Sequence, residues 1–354
     1  MVAPIDEPRA VRRDDQLDLP AIVSWIDQHI GPTAGMPELQ QFPGGASNLT
    51  YLLRWPDQQF VLRRPPFGTK ARSAHDMGRE VRFLRALQPH FPVPTVHGFC
   101  EDPTVAGGEF YIMERLRGVI LRQELPPSLG LDAATTRRLC LRVLDTLIDL
   151  HRIDVAKHGL EHLGRGPGYV QRQIHGWSKR YRSALTPDAR DGERVMAWLQ
   201  ANVRDDVATT VIHGDYRFDN VVLNPEDPMQ ILGVLDWEMA TLGDPLMDLG
   251  NSLAYWVDPD DEPVFQMMRR QPTHAPGMLT RREVWDYYGE RTGYDVSDTM
   301  FYELYGLFRL AVILQQIWVR YHSGQSTNPA FASFGELAKY LIGRCERMLD
   351  RRGV

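Results

Sequence analysis

The sequence predicts an α+β protein with a small β-rich N-terminal part and a larger, mostly helical C-terminal part. Three observations support this prediction. Short strand-like apolar segments occupy 49–53, 60–64 and 109–114, whereas apolar residues recur at helical spacing after Leu131. In between, two short apolar runs flank a turn-rich segment and predict a β-hairpin. With 354 residues, the chain is long enough for two lobes and a sizeable core.

The composition argues against several classes of protein. The net charge of −6 disfavours nonspecific nucleic-acid binding. The three cysteines show neither a disulfide framework nor metal-ligand spacing, which fits a reducing compartment. The most apolar stretch, 310–319, is too short to span a bilayer, and no signal-peptide pattern is visible. We therefore expect a cytoplasmic enzyme, or a bacterial homologue of an organellar one, without a nucleic-acid partner or a membrane span.

The first elements follow from local signals. Residues 1–18 are rich in proline and charge, so they are expected to be disordered or loosely attached. A short helix is predicted over 19–30, because Pro20 suits a first turn and Gly31-Pro32 ends it. The glycine pair Gly44-Gly45 precedes the next strand. Such a pair is typical of a hairpin turn, and it also lets a backbone approach a phosphate closely.

The strand at 60–64 carries two arginines. Arg63 and Arg64 should face opposite sides of the strand, because successive side chains alternate. The alternative is that both are surface charges on an edge strand. A helix over 74–88 follows and contains Glu80, which taken alone would be a solvated surface residue. The strand at 109–114 ends at a break over 115–118. This break is consistent with a plain strand end in which Gly118 is the turn residue.

Long helices dominate the rest of the chain. They are predicted around 132–154, 170–185, 191–203 and 298–322, with a further helix beginning at Asp244-Pro245. His151, near the end of the first of them, is interpreted as a core histidine in preference to a catalytic base. Asp248 either fixes a neighbouring loop by accepting backbone N–H groups or faces the helix dipole.

The segment 211–250 carries the strongest chemical signal. It contains two strand-like runs, 221–223 and 231–235, separated by turn residues. The resulting hairpin would bring Asp215 and Asn220, before its first strand, close to Asp236, after its second. Carboxylate and amide oxygens are ligands that Mg²⁺ prefers. His213, Asp215 and Asn220 also have the H-x-D-x-x-x-x-N spacing of a kinase catalytic loop.

The motifs HGDYRFDN and VLDWEMATLGDPLMDLG closely resemble those of the aminoglycoside phosphotransferase-like kinases (APH/choline kinase-type). The nearest resemblance is to the branch associated with acyl-CoA dehydrogenases, and it extends from about Phe42 to the C-terminus. It implies a bilobal protein kinase-like fold. The N-terminal segment and small nucleotide-binding lobe would span 1–113, the hinge 114–118 and the large catalytic and acceptor-binding lobe 119–354. ATP and Mg²⁺ are the implied cofactors.

The resemblance also implies roles for individual residues. Asp215 would accept the proton of the attacking hydroxyl, and Arg217 would steady the transferring group. Arg63 would contact the phosphates in place of the usual lysine and would be oriented by Glu80. Metal ligation falls to Asn220 and Asp236, with Glu238 as a further candidate. The remaining nucleotide contacts are Gly44, Gly45, Ser47 and Asn48 in the loop over the phosphates, and Met113, Glu114 and Leu116 at the hinge.

The acceptor is the least defined part of this prediction. The resemblance implies a small-molecule hydroxyl, with a hydroxyacyl-CoA as candidate and a functional link to an acyl-CoA dehydrogenase. An aminoglycoside kinase would benefit from acidic residues, which cluster at 258–262, whereas the segment 159–206 is basic. The alternatives are a nucleotide-binding pseudokinase or regulatory module, an antibiotic kinase, and a metal-dependent hydrolase that uses His213, Asp215, Asp236 and Asp244.

Overall fold

The computed structural model describes residues 6–42, 48–66, 76–326 and 328–353. The chain divides into two compact units. The first comprises the described residues up to Val143 together with Phe218–Ala240, and the second comprises Leu144–Arg217 and the chain from Thr241 onward. No helix in the described ranges combines the length and the apolar character needed to cross a membrane.

The β-structure confirms the predicted strands and the central hairpin. The strands are β1 (Glu38–Gln41), β2 (Leu49–Arg54), β3 (Gln59–Arg64), β4 (Val96–Cys100), β5 (Phe110–Glu114), β6 (Val119–Ile120), β7 (Thr210–Ile212), β8 (Val221–Leu223), β9 (Ile231–Val234) and β10 (Thr241–Gly243). In the first unit, five strands form an antiparallel sheet in the order β1-β2-β3-β5-β4, and three more pair as β6-β8-β9. In the second unit, β7 pairs with β10.

The predicted helices begin and end close to their expected positions. The helices are α1 (Leu19–His29), α2 (Met77–Leu87), α3 (Pro103–Ala106), α4 (Ala133–His151), α5 (Tyr169–Ser183), α6 (Glu193–Ala201), α7 (Pro245–Leu253), α8 (Pro263–Met267), α9 (Arg281–Thr292), α10 (Met300–His322) and α11 (Phe334–Arg351). Of these, α3, α8, α9 and α11 were not predicted. Helix α4 begins in the first unit and ends in the second. The α+β prediction, with strands concentrated early and helices later, is confirmed.

The core of the first unit joins α1 to the five-stranded sheet. Ile22 and Ile26 on one face of α1 are fully buried, and they pack in one cluster with Leu62 of β3 and Phe110 of β5. Asp18 caps the helix by accepting the Ala21 N–H, and this bond satisfies one of the free donors of the first turn. The buried face of α1 therefore packs against the sheet that carries Arg63.

The N-terminal segment is a correction. Residues 6–18 were expected to be disordered or loosely attached, but Arg9 exchanges two backbone hydrogen bonds with Gln41, each of 2.8 Å. The Asp6 N–H donates to the Gly118 carbonyl at 3.2 Å, and the Glu7 carboxylate pairs with Arg115 at 3.2 Å. Partners distant in sequence hold this charged segment in place, which is why its local composition was misleading.

The second unit is organised around α10. Its apolar face is buried against α7, α5 and α11. Helices α7 and α10 approach closely where Gly250 faces Gly306, because a Cβ on Gly306 would clash with the Gly250 carbonyl oxygen. This contact places Asp248, one half-turn before Gly250, and Arg309, about one turn after Gly306, on two closely packed helices.

Candidate active site

The β8–β9 hairpin brings two oxygen-bearing side chains together in the first unit. Asn220 immediately precedes β8, and Asp236 follows β9 after Leu235. The Leu235 N–H donates to the Asn220 carbonyl at 2.8 Å, so the predicted proximity of Asn220 to the Asp236 segment is confirmed. Asp215 belongs to the second unit and is described with it.

The backbone of Asp236 has a rare conformation. Its φ of 68° and ψ of 61° lie in the left-handed region. Throughout the described ranges, it is the single non-glycine residue with positive φ. Aspartate tolerates this region better than most residues, but the conformation still costs free energy and is typical of functional sites held by their surroundings. The carboxylate is thus positioned by a local distortion at the end of β9.

Arg63 of β3 binds three carboxylates. Its guanidinium forms the ion pair with Glu80 of α2 that the resemblance implies, at 3.2 Å. It also donates a hydrogen bond to Asp236 and lies 3.5 Å from the Glu238 carboxylate. The Arg63 side chain is 12% exposed and that of Glu80 only 1%. The pairing is therefore largely shielded from water, which strengthens it.

Arg64 points the other way. Its guanidinium is buried and donates to the carbonyl oxygens of Pro65 and Ala106. The predicted opposite orientation of Arg63 and Arg64 is confirmed. The alternative of two surface charges on an edge strand is wrong, because β3 lies inside the sheet between β2 and β5.

A buried tyrosine that the sequence did not single out supports Glu80. Tyr111 of β5 lies opposite Arg63 in the strand register, and its hydroxyl donates to the Glu80 carboxylate. Burial raises the pKa of Glu80, an effect that Arg63 and the Tyr111 hydroxyl partly offset. Burial also holds the pKa of Tyr111 well above its usual value, so the phenol remains a donor. Only the strand pairing identifies Tyr111, because it is distant from Glu80 in sequence.

Asn48 connects the start of β2 to the segment after Asp236. It is buried, and its amide donates to the Glu238 carboxylate at 2.7 Å. Glu238 therefore binds both Asn48 and Arg63, which gives it an organising role in this cluster. Three other predicted nucleotide contacts, Gly44, Gly45 and Ser47, lie outside the described residues.

The charges of this cluster suit a cation. One guanidinium faces three carboxylates, which leaves a formal excess of two negative charges. Mg²⁺ is commonly bound through one or two carboxylates together with phosphate oxygens, so Asp236 and Asn220 form a fitting donor pair. The described part of the chain contains no group of three or more His, Cys, Asp or Glu side chains arranged to hold a metal by themselves.

The predicted hinge residues lie at the end of β5. Met113 is buried and Glu114 is exposed, as expected where a strand leaves the sheet. The Glu114 N–H donates to the Thr95 carbonyl at 2.8 Å. The Glu114 N–H is therefore already bonded within the first unit.

In the second unit, Asp248 holds the loop that follows β7. The carboxylate is fully buried and accepts the His213 N–H at 2.8 Å and the Gly214 N–H at 2.7 Å. The predicted role of Asp248 as an acceptor of backbone N–H groups is confirmed. Burial opposes its charge, but hydrogen bonds from His151 and the His213 backbone keep the pKa of Asp248 below its usual value.

His151 has a more specific place than the core packing expected of it. It is buried, yet both ring nitrogens have partners: Nε2 lies 3.1 Å from the Asp248 carboxylate and Nδ1 lies 2.6 Å from the Tyr288 hydroxyl. A chain of hydrogen bonds thus runs from Tyr288 through His151 and Asp248 to the loop backbone. This chain fixes the orientation of the Asp248 carboxylate.

Asp215 lies on this loop beside Arg217. The Arg217 guanidinium lies 3.1 Å from the Asp215 carboxylate and 4.5 Å from the centre of the Tyr255 ring. The Asp215 N–H donates to Nδ1 of His213 at 3.2 Å, so that nitrogen is an acceptor and the imidazole carries its proton on Nε2. The two predicted catalytic residues are therefore in direct contact within the second unit.

The acidic residues at 258–262 are largely neutralised. Asp261 is paired with Arg281 and Arg344, and Glu262 with Arg344. Glu262 also pairs with Arg347 and accepts a hydrogen bond from Tyr340, while Asp258 pairs with Arg281. These arginines come from α9 and α11, far away in sequence. Three of the four carboxylates of the cluster therefore belong to a structural ion-pair network, whereas Asp260 is exposed.

The family follows from comparison with known proteins. The chain belongs to the phosphotransferase enzyme family, whose model matches residues 38–284. Members of this family are small-molecule kinases with a protein kinase-like fold, so the predicted family, fold and enzyme class are confirmed.

Individual relatives refine this assignment. Acyl-CoA dehydrogenase family member 10 of Mus musculus is 35% identical over 95% of this chain, which corresponds to 31% of that protein. The chain spans about a third to two fifths of the length of the curated relatives it matches. The predicted acyl-CoA dehydrogenase-associated branch is confirmed.

Solved structures support the fold. A Ralstonia eutropha protein assigned to the aminoglycoside phosphotransferases is 31% identical, with a TM-score of 0.75 over 92% of this chain and 96% of its own. A thermostable mutant of aminoglycoside phosphotransferase APH(4)-Ia, in ternary complex with AMP-PNP and hygromycin B, has a TM-score of 0.58 at 13% identity. It covers 92% of this chain and 98% of its own, and at this identity it shows the fold alone.

Proposed function

We propose that the chain transfers the γ-phosphate of ATP, with Mg²⁺, to a hydroxyl group of a small acyl-CoA-linked molecule. The observation that carries this proposal is the position of Arg63. It joins the helix glutamate, Glu80, to the proposed metal ligand, Asp236. Kinases use a strand cation and a helix glutamate in this way to place the phosphates near the metal. An arginine at this position retains the charge and offers a planar, two-pronged donor.

The residues of the first unit would hold the nucleotide. Arg63 binds the phosphates, the Glu114 carbonyl and the Leu116 N–H meet the adenine edge, and Met113 packs beside it. Asn220 and Asp236 would hold Mg²⁺, which neutralises the charge of the phosphate oxygens during transfer. Asn48 supports this arrangement through its bond to Glu238. The hinge assignment at 114–118 is part of the same proposal.

The residues of the second unit would act on the acceptor. Asp215 accepts the proton as the acceptor oxygen attacks phosphorus, and the bond from the γ-phosphorus to the bridging oxygen breaks, leaving ADP. Arg217 is held by Asp215 and Tyr255, so its guanidinium is oriented without further cost in side-chain entropy. Phosphoryl transfer needs mainly positioning and charge stabilisation, which these groups supply.

Two observations favour an acyl-CoA-linked acceptor over an aminoglycoside. The acidic cluster that a polycationic antibiotic could use is neutralised by Arg281, Arg344 and Arg347. The named relatives include an acyl-CoA dehydrogenase family member of which this chain matches about a third. A kinase acting on a hydroxyacyl-CoA would be functionally linked to such a dehydrogenase, because both act on acyl-CoA thioesters.

The test is ATP consumption with Mg²⁺ across an acceptor panel. The panel holds 3- and 4-hydroxyacyl-CoA thioesters, the free hydroxy acids, kanamycin, choline and homoserine. We expect stimulation by the hydroxyacyl-CoA thioesters, and none in the Asp215→Ala variant. Stimulation by kanamycin alone would overturn the acceptor and keep the chemistry. Tight ATP binding with no turnover on any acceptor would favour a nucleotide-binding module instead.

A further inference from the structure

Arg309 is a charged residue on the most apolar helix of the second unit. It lies in α10 among buried residues such as Phe308 and Val312, and it is itself only 4% exposed. Burying a guanidinium costs free energy unless it gains specific partners. A methionine or leucine would suit packing at this position better. Packing therefore does not explain why a buried arginine stands here.

The partners of Arg309 lie on the proposed catalytic loop and beside it. Its Nη2 donates to the Gly214 carbonyl at 2.8 Å. The guanidinium also lies over the Trp177 ring, 5.2 Å from its centre, which partly replaces the lost hydration. Although burial opposes its charge, Tyr305, Tyr255 and Asp215 hold the pKa of Arg309 above its usual value. The side chain is therefore a cation near Asp215.

Gly214 is held from two directions. Asp248 of α7 accepts its N–H at 2.7 Å, while Arg309 of α10 donates to its carbonyl. The φ of Gly214 is 80°, a left-handed conformation in which a glycine is favoured, and the next residue is Asp215. The close approach of Gly250 and Gly306 sets α7 and α10 at the spacing that both bonds require.

We propose that Arg309 is a positioning residue for the catalytic loop: with Asp248 it clamps both backbone groups of Gly214 and so fixes the direction of Asp215. The inference rests on the proposed role of Asp215, but the clamp itself is measurable without any substrate. Asp248 and Arg309 bear opposite charges and act on opposite ends of one residue, so neither can replace the other.

The test compares Arg309→Met, Arg309→Lys and Arg180→Met with the wild-type chain. Arg180 is the matched control, because its guanidinium lies over the same Trp177 ring at 4.6 Å but is exposed to solvent. Hydrogen–deuterium exchange of the peptide containing Gly214, without substrates, reports on the clamp. Steady-state kinetics with ATP and the hydroxyacyl-CoA thioesters report on its consequence.

We expect Arg309→Met to speed exchange at the Gly214 amide at least about tenfold, while the rest of α10 stays protected. Its kcat should fall about 100-fold with the KM for ATP within about twofold of wild type, because a small displacement of a reacting group is enough. Arg309→Lys should regain about tenfold of the loss, since it keeps a charge and a donor. Arg180→Met should match the wild type in both measurements.

Two results would overturn the inference. The first is unchanged loop exchange in Arg309→Met. The second is faster exchange throughout α10, with kcat reduced only in proportion to the folded fraction, which would indicate a packing role. If Arg309→Met does not fold, Arg309→Lys decides by the same criteria. If the wild type turns over none of the thioesters, the proposed function fails, whereas the exchange data still decide whether the clamp exists.

Discussion

The proposed nucleotide-binding cluster in the first unit and the proposed catalytic loop in the second are built in different ways. In the first unit, side chains bind side chains, with Arg63 at the centre and Asp236 among its partners. In the second unit, buried side chains bind backbone, with Asp248 holding the N–H and Arg309 the carbonyl of Gly214. The first arrangement concentrates charge, and the second fixes the path of a loop.

This difference indicates how each region should respond to amino-acid substitutions. The charge cluster consists of groups that can exchange one partner for another, so conservative substitutions should alter ligand affinity. The loop depends on a few buried hydrogen bonds that have no substitute, so their loss should reduce turnover and stability together.

The largest effect is expected at Asp236. Asp236→Ala should lower turnover at least about 10³-fold, because the loss of metal positioning removes several kcal/mol of transition-state stabilisation. The fold should persist, which circular dichroism and thermal melting would check. Asp227→Ala, an exposed aspartate in the same hairpin, is the matched control and should behave as wild type. Retained ATP-dependent transfer in Asp236→Ala would remove the metal assignment.

At Asp248, a smaller loss of turnover is expected, together with a loss of stability. Asp248→Asn should lower kcat about 100-fold through misplacement of the loop. It should also reduce the free energy of unfolding by about 2–4 kcal/mol, because two backbone N–H groups lose a charged acceptor. Denaturant unfolding measures the second quantity. A variant with full stability and low kcat would contradict the claim that this region couples the two.

The pH dependence of folding stability gives a second test of the role of Asp248. The pKa of Asp248 in the folded chain lies below its ordinary value of 3.8. Its ionised form therefore contributes stability above about pH 4, and that contribution is lost as the pH falls below the unfolded value. Asp248→Asn should show a flatter loss of stability on the acid side than the wild type. Parallel acid-unfolding curves would contradict the account.

The mildest effect is expected at Arg63. Arg63→Ala should raise the KM for ATP about tenfold and change the acceptor KM less, because a charge-assisted contact to phosphate is removed. Arg54→Ala, at the partly exposed end of β2, is the control. An unchanged KM for ATP would show that a residue other than Arg63 contacts the phosphates. Arg64 is a poor substitute because it binds backbone carbonyls, and Lys70 lies outside the described residues.

Much of the fold could be predicted because its signals are local. Apolar spacing and capping residues indicated α1, α4 and α10, and turn residues indicated the β8–β9 hairpin. The motif containing Asp215, Asn220 and Asp236 was visible because its members lie within a short stretch of sequence. The resemblance of the motifs HGDYRFDN and VLDWEMATLGDPLMDLG, which contain these residues, indicated the family that the comparisons confirm.

The missed features depend on partners distant in sequence. Arg309 contacts Gly214 across 95 positions, and the apolar residues around it in the sequence do not reveal this partner. Tyr111 reaches Glu80 only because β5 pairs with β3. The ordered N-terminal segment depends on Gln41 and Gly118. In each case tertiary contacts outweigh local composition, and a pattern-based prediction cannot anticipate them.

The most direct test of the central claim is calorimetric titration of AMP-PNP with Mg²⁺ into Asp215→Ala, alongside its phosphoryl transfer from ATP. If the first unit binds the nucleotide and Asp215 of the second serves only the acceptor, the variant should bind within about twofold of wild type while transfer falls about 10²- to 10⁴-fold. Loss of nucleotide binding in Asp215→Ala, or transfer at the wild-type rate, would contradict this division of roles.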